Sequence, residues 1–320
     1  GSSLLVLEWG KLRWEEDAGG APSDGRRRIF SGTKGFWILA ALRAVQEGLF
    51  SLDSPVSETL EEWRVDPVKR SITVRELLNF TSGLDPGFFL HTESFENRNV
   101  RSLFLPLLAR PGRAFLYGPA SLQVFHEFFR RRLLPHRETP THFLETRVLY
   151  PLGLGRQRYL EDGSGNPLLA TGFLLRARQW AAIGNVLVHR GSPVVRPEIL
   201  EEALRGSPVN SAFGMGFWNN RAAAFPGARE VNVEEMLSRP WRSQDWHNAC
   251  LWRDGPTDLV AAIGSHGQRL YVIPSRGWIV VRQGFSYSFS DGDFLRLLLP
   301  GARAAERLTA GSDSSSSARR

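Results

Sequence analysis

The order of apolar and polar positions divides the chain into three stretches. Leu4–Trp9 and Lys11–Glu15 flank Gly10 and predict an N-terminal β-hairpin. Residues 16–28 are polar and glycine-rich and read as a loop. Phe36, Leu39, Ala40, Leu42, Ala44 and Val45 then mark a mostly apolar helix that begins close to Ser31 and is stopped by Gly48. From 50 to 205 the pattern is helix-rich. Thr73 and Glu76 have capping-box spacing for a short helix ending near Asn79. Residues 120–134 and 174–188 form two amphipathic helices, the first carrying Leu122, Val124, Phe125, Phe128, Phe129 and Leu133, the second centred on Trp180. After about residue 210 the runs shorten. Phe213–Trp218, Leu259–Ile263, Arg269–Ile273 and Trp278–Arg282 read as strands, with Pro274–Gly277 as the turn between the last two. Asp293–Leu299 suggests a final helix, and the serine-rich tail from Gly301 reads as disordered.

Strands at both ends with helices between them predict an α/β protein of the α+β kind. The N-terminal hairpin closes against the C-terminal strands in one antiparallel sheet, flanked by helices. The expected division is residues 1–50 and 206–300 for the sheet part, 51–205 for a mainly helical insertion, and 301–320 for the tail. A site is expected in the cleft between the first two.

Composition narrows the function. At 42% hydrophobic and 23% charged the chain is globular in character, and no apolar run is long enough for a transmembrane helix. Gly1–Ser3 carries no signal-peptide pattern and reads as a truncation or added residues, which leaves open a signal removed upstream. The single cysteine, Cys250, excludes an internal disulfide, and the seven histidines show no metal-ligand spacing, so no metal or cofactor is expected. The net charge of +7 raises the question of nucleic acid. The dense arginine runs, 26–28 and 130–132, have no interleaved aromatic residues, so no nucleic-acid partner is expected. Only three of the 40 basic residues are lysine: Lys11, Lys34 and Lys69. Lysine, unlike arginine, gives up its proton in a dry site, so each of the three is a candidate base.

Lys34 has the most informative neighbours. Ser31-Gly32-Thr33-Lys34 is an S-x-x-K motif at a helix start. Residues three apart on a helix share a face, so the amine approaches the hydroxyl. The helix N-terminus favours developing negative charge, and a desolvated amine there serves as a base. The bland alternative is a capping serine and a surface lysine. Cys250 has no paired histidine to make it a nucleophile, and a G-x-S-x-G elbow is absent.

Further segments change the balance. Gly48-Leu49-Phe50-Ser51-Leu52-Asp53-Ser54-Pro55-Val56, Leu77-Leu78-Asn79-Phe80-Thr81-Ser82-Gly83-Leu84, Tyr117-Gly118-Pro119, the segment from Gly172 to Gly184, Phe213-Gly214-Met215-Gly216-Phe217-Trp218 and Gly264-Ser265-His266-Gly267-Gln268 follow in order. With the S-x-x-K motif they resemble the serine β-lactamase-like superfamily: class C β-lactamases, DD-peptidases (penicillin-binding proteins) and their esterase relatives. The resemblance runs from about residue 4 to 300. It implies Ser31 as acylated nucleophile, Lys34 as its base, Tyr117 as proton shuttle, and the backbone N–H groups of Ser31 and Gln268 as an oxyanion hole. It also implies a bacterial protein, periplasmic or secreted, with a cytoplasmic location left open.

Two positions depart from the family pattern. Pro119 stands where the Asn of Y-x-N belongs, and the Lys or His of the third motif aligns with Ser265, with His266 beside it. Both are kept as third-motif candidates; His266 qualifies if strand alternation turns it to the cleft. Gly267, Pro119 and Trp218 complete the expected substrate-binding set. Core packing is the commoner use of tryptophans such as Trp218, Trp241, Trp246 and Trp252. Nucleophile activation is intact in this reading while β-lactam recognition is degraded. The expectation is a serine hydrolase acting through an acyl-enzyme on a small ester or amide. A β-lactamase or DD-peptidase activity, and a non-catalytic binding relative of the same fold, are the alternatives.

Overall fold

The computed structural model describes residues 3–18, 25–91, 96–286 and 288–299. The hairpin forms as the alternation predicts. Strands β1 (Ser3–Glu8) and β2 (Lys11–Asp17) turn at Trp9 and Gly10, both at positive φ (47° and 74°), the geometry of a tight two-residue turn. Strands β3 (Phe213–Gly214), β4 (Phe217–Asn219), β5 (Val260–Gly264), β6 (Gln268–Ile273) and β7 (Trp278–Gln283) complete one seven-stranded sheet in the order β2-β1-β7-β6-β5-β4-β3. Every pair in it is antiparallel. The two ends of the chain meet where β1 pairs β7, with Leu5 opposite Val281, both buried.

The run Phe213–Trp218, expected as one strand, is instead two short strands. Met215 (φ 34°) and Gly216 (φ 85°) turn the chain back on itself. A Cβ on Gly216 would stand 2.6 Å from Ile38, so the turn lies directly on the first long helix. That helix, α1 (Lys34–Gln46), is buried around most of its circumference and forms the centre of the core. It ends in a Schellman-type cap: Gly48 N–H donates to Val45 O and Leu49 N–H to Ala44 O, with Gly48 at φ 76°.

Helices α2 (Ala120–Leu133) and α3 (Ala177–Val188) lie where the two amphipathic patterns place them. The capping box of Thr73 and Glu76 forms at Val74–Leu78. Helix α3, counted with the helical part in the expectation, packs on β7, β6 and β1. It sits so close that a Cβ on Gly184 would meet Ile279 at 2.5 Å. The final helix, α4 (Asp291–Leu298), begins two residues earlier than expected because Ser290 caps it, accepting from Asp293 N–H. The tail from Gly301 lies outside the described residues. No helix among the described residues is long and apolar enough to cross a membrane.

Candidate active site

Ser31 lies in a single 3₁₀ turn, Phe30–Thr33, that runs straight into α1. Close contacts fix this turn. A Cβ on Gly32 would stand 2.3 Å from the Trp180 ring of α3, and a Cβ on Gly264 would stand 2.1 Å from the Ile29 carbonyl. The end of β5 therefore passes against the backbone just before Ser31. Thr33 Oγ1 accepts the Phe173 N–H at 3.1 Å. Phe30 is held at φ 45°, a left-handed conformation that a bulky residue adopts only when its surroundings impose it. Ser31 makes no side-chain cap on α1, so the capping-serine alternative does not describe it.

Lys34 is 2% exposed. Its Nζ donates to Ser31 Oγ at 2.8 Å and to the Ala170 carbonyl at 3.0 Å, and lies 4.6 Å from the centroid of the Tyr117 ring. Burial pushes the amine from its ordinary 10.5 down to about 7. An ammonium that meets a hydroxyl, a carbonyl and a ring face is poorly compensated for lost hydration, which is why the neutral form gains.

Tyr117 rests in an aromatic nest with Phe80, Phe213 and Trp218 at centroid distances of 5.0, 5.8 and 6.2 Å. Burial pushes its phenol up, a hydrogen bond with the Ser31 side chain pulls it part way back, and the Glu234 carboxylate adds to the rise. The phenol is therefore protonated across the neutral range. Trp218 is 1% exposed and backs the Tyr117 ring from inside the core. Pro119 is buried as the residue before α2, and Gly118 presses on the Pro86 carbonyl, which would lie 2.4 Å from a Cβ there.

The third motif spans the connection between two strands. Gly264 ends β5 and Gln268 opens β6, so Ser265, His266 and Gly267 form the connecting turn, with His266 at φ 62° and Gly267 at φ 76°. Strand alternation does not set the direction of His266, as the sequence reading supposed. Its ring stacks on Phe285 at 4.2 Å and meets Phe30 edge-on at 5.3 Å. Ser265 is exposed. Gln268 is 3% exposed, pairs opposite Gly264, and ties its side chain to the Gly284 backbone.

Gly267 is gripped on both sides. Its N–H donates to Glu234 Oε1 at 3.1 Å and its carbonyl accepts Arg282 Nη1 at 2.5 Å. Behind it Arg269, wholly buried, joins Glu234 at 3.0 Å and Asp291 at 2.6 Å, and the Tyr271 hydroxyl donates to Asp291. Sequence reasoning missed Glu234, Arg282 and His91. His91 lies close enough to Lys34 to feel its charge; burial first, then Lys34 and Arg98, push its imidazole down to about 4. Cys250 is buried and its thiol is pushed up to about 11 by burial, which leaves it protonated and unreactive.

An antiparallel sheet drawn from both chain ends, with a serine and a buried lysine at the mouth of a central helix, defines a β-lactamase/transpeptidase-like fold. The chain belongs to the Beta-lactamase family, whose model matches residues 1–192. A penicillin-binding protein from Bacillus halodurans superposes with a TM-score of 0.61 at 18% identity, over 92% of this chain and 95% of that one. EstCE1, a hydrolase with promiscuous acyltransferase activity, gives 0.63 at 18% identity, over 95% and 92%. A lovastatin esterase of Penicillium rubens is 32% identical over 118 residues, a stretch that spans 28% of this chain and only 30% of that relative. Family and neighbours together point to a hydrolase of β-lactamase fold.

Proposed function

We propose that this protein is a serine esterase working through an acyl-enzyme on Ser31. The observation that carries the reading is the 2.8 Å contact between Ser31 Oγ and the amine of Lys34, the latter desolvated until it holds its proton only weakly at neutral pH. Ser31 Oγ attacks the ester carbonyl carbon and its proton passes to Lys34 Nζ. The Tyr117 hydroxyl gives its proton to the departing alkoxide and is reprotonated from the Lys34 ammonium. Water then attacks the acyl carbon, its proton returns through the same pair, and the bond to Ser31 Oγ breaks.

The tetrahedral oxyanion takes the Ser31 N–H and one N–H from the 264–268 hairpin. The family resemblance assigned the latter to Gln268. Its burial within the sheet favours Ser265 instead, which is exposed and directly follows Gly264, the residue packed against the Ile29 carbonyl. Pro119 and the uncharged Ser265 leave no side chain to recognise a β-lactam amide or carboxylate at the family's usual positions, which places an ester ahead of a β-lactam. Incubation with p-nitrophenyl acetate and with a fluorophosphonate tests the reading by intact mass. The expected result is one adduct on Ser31, absent in Ser31→Ala. Full esterase activity in Ser31→Ala overturns it.

A further inference from the structure

Beside the Ser31–Lys34 pair lies a cavity of about 250 Å³. The segments that build the pair also build its walls. Phe30 directly precedes Ser31, Thr171 directly follows the carbonyl that accepts Lys34 Nζ, and Ser265 and His266 come from the turn at the end of β5. Leu160 and Leu168 supply the floor, paired through the Leu168 N–H to Leu160 O bond at 2.8 Å. Tyr117 and the aromatic residues packed on it line no part of it.

We infer that this cavity is the acyl subsite of the proposed esterase, shaped for a short acyl chain that carries no positive charge. The inference rests on that reading and adds the substrate class to it. The side follows from proton delivery: the alcohol leaves toward Tyr117, so the acyl chain extends the other way, into the cavity. The size follows from the volume, which lies just under the range of pockets that enclose drug-sized ligands. The charge preference follows from the lining. Phe30, Leu160 and Leu168 are apolar, no lining residue is a carboxylate, and the single fixed charge is the Arg28 guanidinium, on an exposed residue. His91 is neutral at physiological pH and contributes polarity without charge, 3.5 Å from the Thr171 hydroxyl. An ammonium placed there loses hydration and gains no counter-charge.

The test is a p-nitrophenyl ester series with acyl groups from acetate to decanoate, run on wild type, Leu160→Trp and Leu160→Ala. The ratio of kcat/KM for hexanoate over acetate should fall about tenfold in the tryptophan variant and rise in the alanine variant, since a methylene in a fitted pocket is worth about tenfold or more. Opposite shifts at one position are not produced by misfolding. The heptanoate ester should exceed the 6-aminohexanoate ester, its near isostere with an ammonium end, by about a hundredfold. Chain-length profiles that stay parallel in both variants, or that change only when the alcohol is varied, overturn the subsite while Ser31 acylation by the acetate ester still supports the esterase. If no ester acylates Ser31 in the wild type, both readings fall together.

Discussion

The Arg282 guanidinium donates to the Gly267 carbonyl at 2.5 Å while the Glu234 carboxylate accepts the Gly267 N–H at 3.1 Å. One glycine in the turn beside Ser31 is thus held through both of its backbone polar groups by oppositely charged side chains. Such charge-assisted bonds are stronger than neutral ones. A Cβ on Gly267 would stand 2.5 Å from Arg282 Nη1, at a φ of 76° that already disfavours a side chain. Arg282→Met keeps the stem but releases the turn. It should lower kcat for the acetate ester about tenfold or more and cost about 1–3 kcal/mol of stability through the orphaned carbonyl. Gly267→Ala should give the same kinetic defect. An Arg282→Met enzyme with wild-type kcat would show that the turn does not need the clamp.

Lys34 sets the pH dependence. In the proposed mechanism its amine is the base and must be neutral, so kcat/KM should rise with pH through about 7. Lys34→Arg keeps a positive charge that cannot be given up and should lose about two orders of magnitude or more. Stability carries the same signature. Between about pH 7 and 10.5 the unfolded chain holds a proton on this lysine that the folded chain has released, so stability increases with pH across that window. Below about pH 7 the burial penalty is fully present. Denaturation midpoints compared for wild type and Lys34→Met between pH 6 and 10 should converge toward high pH, and a gap that does not depend on pH would remove the buried lysine as the source.

Tyr117 separates chemistry from packing. Its ring is held by Phe80, Phe213 and Trp218, contacts that phenylalanine keeps. Tyr117→Phe should therefore unfold close to the wild-type midpoint yet lose about 10²–10⁴ in kcat, the usual span for a positioned proton donor. The loss should be smaller for esters with a good leaving group, which need little protonation. Equal losses across leaving groups would argue against proton delivery by Tyr117.

Gly264 tests the closeness of β5 to the backbone leading into Ser31. The atom that a Cβ would strike is the Ile29 carbonyl oxygen at 2.1 Å, part of the backbone leading into Ser31. Gly264→Ala has to push the strand and the turn apart, and should cost about 1–3 kcal/mol together with most of the activity. Gly48→Ala is the control. It meets nothing within 4 Å and bears only the strain of φ 76°, about 1–2 kcal/mol with activity kept. Urea denaturation and acetate hydrolysis measured on both variants decide the matter.

Local chemistry was legible wherever its cause was local. The hairpin at Trp9–Gly10, the Thr73–Glu76 capping box, the Gly48 stop and the Ser31–Lys34 spacing each depend on residues a few positions apart, and each appears where the pattern puts it. Phe213–Trp218 misled because alternation does not register a turn that forms only when Gly216 is pressed on Ile38. The direction of His266 does not follow from strand alternation, because residues 265–267 form the turn between two strands.

The sequence by itself determined which groups are available: a serine and one of its three lysines on adjoining turns, a tyrosine ahead of a helix, and strands at both ends that must pair. Only the tertiary structure decided what those groups do. Lys34 holds its proton weakly because Ala170, 136 residues away, and the Tyr117 ring enclose it without offering a carboxylate. Gly267 becomes fixed because Glu234 and Arg282 arrive from separate elements. A proton affinity or a turn geometry is set by what surrounds a group within a few ångströms, and burial and charge from distant parts of the chain come together only on folding.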